Sequence, residues 1–102
     1  MEIPKNKKVD YWLFADNLTG NELFEFVEFK KEKSNNGKME IPIFVLAGNV
    51  GEYSGDFKLS TWNIENLNNL IEKYGADASK WGTPKFKAEK TKNNKINLVE
   101  IQ

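Results

Sequence analysis

Lysine and asparagine set the chemistry open to this chain of 102 residues. All fifteen basic residues are lysines, and thirteen positions are asparagine. Lysine neutralises phosphate as a mobile point charge, but it lacks the planar fork with which arginine grips phosphate or reads guanine. Lys85, Lys87, Lys90, Lys92 and Lys95 fall within eleven residues and are offset only by Glu89. Lys30, Lys31, Lys33 and Lys38 form a second group, diluted by Glu32 and Glu40. Groups of this kind neutralise a polyanion, or they guard exposed strands against edge pairing.

Thirteen aromatic residues supply the second ingredient, flat faces on which bases can stack. Trp62 shares strand parity with Lys58 and Ser60, a polar face, and is the first stacking candidate. Phe24, Phe26 and Phe44 follow, each opposite a better core set; a place in the core is the competing role for every one of them. The candidate contacts are therefore Lys30, Lys31, Lys38, Lys58, Lys87, Lys90 and Lys92 for phosphate, with Trp62, Phe26 and Phe44 for bases. Trp81 is assigned to the core.

Other chemistries find no residues to carry them. The chain has neither histidine nor cysteine, which removes the commonest general base, thiolate metal ligands and disulfides. Asp10, Asp16, Glu22, Glu25 and Glu28 have no calcium-loop spacing, and no glycine-rich phosphate loop occurs. The expectation is a protein that is not an enzyme and uses no cofactor or metal. Its formal net charge is zero, so any basic face must be local. No apolar run approaches the roughly 20 residues of a membrane span, and the start has no signal-peptide core. A cytoplasmic protein without membrane association is expected.

These residues need a scaffold, and the hydrophobic pattern supplies one. Residues 1–8 read as a flexible basic arm, and 9–102 as a single domain. The segment 9–14 is either a short strand or a docking segment. Strands are expected at 22–33, 38–47, 56–62, 85–90 and 96–101. The first has apolar residues on both faces, which fits a bulged strand shared between two sheets. Asn36-Gly37 favours a type I′ turn, 48–55 reads as a loop, and Pro42 marks an edge or bulge in the second strand. A helix is expected from an Asn63 N-cap through Ile64, Leu67, Leu70, Ile71 and Tyr74, stopped by Gly75.

Three strands, a helix and two strands give the order of the OB-fold. The fold expected is thus mainly β, a five-stranded Greek-key barrel with one helix between strands three and four. In that frame the loops 34–38 and 91–95 flank the ligand face. Strands one and four would also lie close enough for both lysine groups to share it.

The chain from about residue 16 to 101 resembles small OB-fold single-stranded-DNA-binding-like domains of archaea and phages. The resemblance is carried by Asp16-Asn17-Leu18-Thr19-Gly20, Trp62-Asn63, and Leu70-Ile71-Glu72-Lys73-Tyr74-Gly75-Ala76-Asp77 followed by Lys80-Trp81-Gly82. It implies nucleic-acid association, DNA or RNA; the function expected of this chain is binding to single strands, DNA ahead of RNA, with little sequence preference. A protein-interaction module, such as a viral or plasmid adaptor or inhibitor using the barrel face or a strand edge, is the alternative. Tyr11, Trp12 and Trp62 discriminate: exposure beside lysines favours nucleic acid, and an apolar patch without them favours a protein.

Overall fold

Strand β2 (Leu23–Lys33) organises the fold because its inward face changes parity halfway along. Phe24 and Phe26 point into the core, and a bulge between Phe26 and Glu28 shifts the register against β3 (Glu40–Val50). Beyond the bulge Phe29 faces Phe44, the two rings meeting edge-on at 6.1 Å. One strand thereby serves both halves of a curled sheet, as its two-faced pattern predicts. The computed structural model describes residues 11–34 and 36–101; the expected arm, 1–8, lies outside the described residues.

The remaining strands are β1 (Tyr11–Trp12), β4 (Tyr53–Ser60), β5 (Lys85–Lys90) and β6 (Ile96–Glu100), with one helix, α1 (Leu67–Tyr74). They form a single mainly antiparallel sheet in the order β1-β4-β3-β2-β5-β6. Among the described residues six strands are present where five are expected. The additional one is β1, which pairs in parallel with Phe57 and Lys58 of β4. The sheet curls until the chain leaving β4 meets β6. Ile64 and Ile96 form a parallel bridge, and the Glu65 N–H donates to the Ile96 carbonyl at 2.9 Å. Asn66 then acts as a strand through its side chain, donating to the Leu98 carbonyl at 2.8 Å and accepting from its N–H at 3.0 Å.

That use of Asn66 and Ile64 corrects the expected helix start. Residues 61–63 form a 3₁₀ turn, Ile64 is committed to the bridge, and the helix begins only at Leu67. Strand pairing outweighs the N-cap preference of Asn63, because burying an unpaired strand edge costs more than losing one cap. The C-terminal stop is as expected: Gly75 has φ 100° and its N–H bonds to the Ile71 carbonyl. Leu70 is buried, and Trp81 packs on Phe26, Phe44 and Tyr74 while its indole N–H reaches the Gly75 carbonyl at 2.8 Å.

Two turns also differ from expectation. The supposed loop 48–55 is mostly strand, since β3 and β4 stay paired out to Val50 and Tyr53. In the β2–β3 hairpin Gly37 is left-handed at φ 69° but Asn36 is not, whereas type I′ needs both. The hairpin closes instead from Ser34 N–H to the Met39 carbonyl, with Asn36 accepting from Ser34 and Lys38. Pro42 behaves as an edge residue: β4 pairing begins at Ile43, so no strand partner lies where its missing N–H would point. Among the described residues no helix is long and apolar enough to cross a membrane.

Candidate nucleic-acid interface

The site grows from the turn at the end of β4. The Ser60 hydroxyl accepts from the Trp62 N–H at 3.3 Å and caps the 3₁₀ turn Thr61–Asn63. Thr61 is turned inward, and Trp62 is thrown outward with 52% of its surface exposed. Trp62 therefore lies beyond the strand whose parity nominated it, yet it is exposed as that reading requires.

Two hairpins flank this turn. On one side it lies against β3, where Thr61 and Pro42 line the same apolar groove of about 230 Å³ together with Phe29, Leu67 and Trp81. Pro42 pairs with Lys31, so that side leads into the hairpin bearing Lys31, Lys33 and Lys38. On the other side, the parallel bridge from Ile64 to Ile96 brings the chain after Trp62 alongside the β5–β6 loop that carries Lys92 and Lys95. That loop is rigidly built. Thr91 N–H bonds to the Lys95 carbonyl, the Thr91 hydroxyl accepts from the N–H groups of Asn93 and Lys95, and Asn94 adopts φ 59°.

The structure sorts the candidate lysines into two kinds. Lys58 is only 13% accessible; its ammonium lies 3.0 Å from Glu32 and 4.7 Å from the Trp12 ring centroid. Lys30 also approaches Glu32, at 3.6 Å, and Lys90 approaches Asp16 at 3.5 Å. Glu32 is thus shared between Lys58 and Lys30, whereas Lys90 makes an exposed surface pair with Asp16. Hydrogen bonding from Lys58, aided by the charges of Lys58 and Lys30, holds the Glu32 carboxyl below its ordinary range. Among the described residues Lys31, Lys33, Lys38, Lys87 and Lys92 make no ion pair within 4 Å. Lys87 stands apart from Trp62, between Leu23 and Val99 on the outer face of β2, β5 and β6.

Phe26 and Phe44 do not belong to the site. They are 1% and 3% exposed, and Phe24 is buried with them. Phe26 and Phe44 meet each other edge-on at 5.2 Å and both pack on Trp81, leaving no ring face for a base. Packing against each other and Trp81 holds Phe26 and Phe44 inward. Ile43 and Val45 are instead buried on the opposite face of β3.

Nor do the two lysine groups share one face. Strand β2 pairs with β5 only from Leu23 to Glu25, beside Lys87 and Lys85. Lys30 lies five residues further along, roughly 16 Å of extended chain.

Trp12 is exposed beside Lys58, but that lysine is engaged by Glu32; Tyr11 is half-buried and packs on Tyr53 at 4.8 Å. Of the three discriminating aromatics Trp62 is the most exposed, on a turn whose flanking chain adjoins both hairpins. Glu65 joins the site although the sequence did not select it; its hydrogen-bond partner Asn93 lies in the 91–95 loop that the sequence placed beside the ligand face. Their proximity depends on the Ile64–Ile96 bridge and on strand register, for which no local sequence signal exists.

In comparisons with known proteins the chain matches no family model, no curated protein and no solved structure.

Proposed function

We propose that this protein is an OB-type barrel that binds single-stranded nucleic acid, DNA or RNA, without catalysis and with little sequence preference. The observation that carries this reading is the exposed Trp62 on a turn flanked by two hairpins, whose Lys31, Lys33, Lys38 and Lys92 make no ion pair within 4 Å among the described residues. Stacking on one aromatic face is tolerant of base identity, and lysine contacts to phosphate carry no sequence information. The barrel assignment draws on the strand order β4-β3-β2-β5-β6 and on the parallel contact closing the sheet; β1 is an addition to the five-strand plan. The contact set becomes Trp62 with Lys31, Lys33, Lys38 and Lys92.

Fluorescence anisotropy with labelled dT, dA and RNA oligomers at low and physiological salt tests this. Binding that weakens with salt and is lost in Trp62→Ala is the expected result. Absence of binding even at low salt would overturn the reading.

A second reading is favoured by a different surface. Leu23, Val99 and Ile101 stand exposed on adjacent strands of the outer sheet face, around Lys85 and Lys87. Such a row fits a protein partner, and failure of nucleic-acid binding would direct attention to it.

A further inference from the structure

Glu65 lies beside the β5–β6 loop at the edge of the candidate site. Its main chain is fixed, since its N–H bonds to the Ile96 carbonyl and its neighbour Ile64 forms the parallel bridge. Its side chain reaches the β5–β6 loop and accepts from the Asn93 amide at 2.5 Å. Hydrogen bonding from Thr91 and then Asn93, with the charge of Lys95 nearby, holds its carboxyl below the ordinary glutamate range. The loop therefore presents an amide, a hydroxyl and an ammonium to an anion, and the anion it holds is the protein's own. The carboxylate is exposed, so a change of side-chain rotamer releases these donors without moving the backbone.

We propose that Glu65 is a built-in competitor for the phosphate backbone, limiting affinity for single strands at the Trp62 end of the barrel. This rests on the nucleic-acid reading above. A bound strand displaces the carboxylate, and its phosphate takes over Asn93 and Lys95. The arrangement keeps binding weak and reversible, in keeping with the balanced charge of the chain.

The test compares wild type with E65Q, E65A and E72Q for a dT oligomer at low salt, using anisotropy. Glu72 lies exposed on α1, so E72Q makes the same change in net charge away from the loop. E65Q keeps an acceptor for Asn93 and removes only the charge. Both Glu65 variants should tighten binding by roughly two- to five-fold, the scale of one exposed charge pair, with E72Q close to wild type.

If wild type binds through Trp62 but E65Q matches wild type or E72Q, the competitor role is wrong and the nucleic-acid reading survives. If E65A weakens binding, Glu65 positions the loop and does not compete. If no variant binds at low salt, the nucleic-acid reading fails and the competitor role falls with it.

Discussion

Gly48→Ala is expected to destabilise the fold by about 3 kcal/mol, near the upper end for overpacking a filled core. A Cβ at this position would lie 2.5 Å from Cδ1 of Phe24 and 2.6 Å from the Leu23 carbonyl oxygen. Ordinary contact begins at 3.4 Å, so these two atoms would have to retreat by 0.9 Å and 0.8 Å (3.4 less 2.5 and 2.6). Neither can do so freely. Phe24 is buried and packs edge-on against Phe57, and Leu23 is paired with Lys87 of β5. Gly48 has no positive φ, so the whole cost is steric. For a domain of this size that loss lowers Tm by about 14 °C, which calorimetry or thermal circular dichroism resolves easily.

Two comparisons isolate the cause. Gly51→Ala, at φ 59° with open space around it, should lose only the conformational penalty of about 1–2 kcal/mol. In a double-mutant cycle, Phe24→Leu should relieve part of the Gly48→Ala cost, with a favourable coupling of about 1 kcal/mol. A drop in Tm of less than about 3 °C for Gly48→Ala, or no coupling to Phe24, would refute the close approach of β2 and β3.

Asn66→Ala removes both hydrogen bonds to Leu98 and should cost about 2 kcal/mol, with faster amide exchange at Leu98 as the local readout. Unchanged exchange there would show that the Asn66 side chain does not close the barrel. Glu32 has a lowered pKa, so its contribution is complete above the ordinary glutamate value of 4.5 and disappears as pH falls through the lowered value. Wild type should therefore exceed Glu32→Gln in unfolding free energy at pH 7, by at most about 1 kcal/mol after solvent screening, and the two should converge in acid. Parallel pH profiles would contradict the Lys58 pairing. If Lys31, Lys33, Lys38 and Lys92 each meet a phosphate, the log–log salt slope should be about −3 and affinity should fall about 50-fold between 50 and 200 mM salt. The triple variant Lys31→Ala/Lys38→Ala/Lys92→Ala should flatten that slope by about 2, whereas Lys58→Ala should leave it unchanged.

Periodic patterns within a strand or helix were legible because they arise from nearest neighbours along the chain. The two-faced pattern of residues 23–29 announced the bulge, Pro42 announced an edge, Gly75 fixed the helix stop, and Trp81 read as core. The mainly β class with one helix followed from the order of these elements. Side-chain roles fared differently. Phe26 and Phe44 have the same composition and spacing whether they face solvent or core. A one-residue bulge elsewhere in the pairing settles which.

Electrostatic availability is also tertiary. Lys58 and Glu32 are separated by 26 residues, and Lys90 and Asp16 by 74, so local sequence does not show which lysine each carboxylate engages. The sequence by itself determined the element order, the absence of histidine and cysteine chemistry, and the reliance on lysine and aromatics. Only the tertiary structure decided that Trp62 stands exposed on a turn flanked by two hairpins, that Lys30 and Lys58 share Glu32 while Lys90 pairs with Asp16, and that Glu65 reaches the β5–β6 loop. The physical reason is range: hydrophobic periodicity acts over a few residues, whereas register, curl and ion pairing join segments that only the closed sheet brings together.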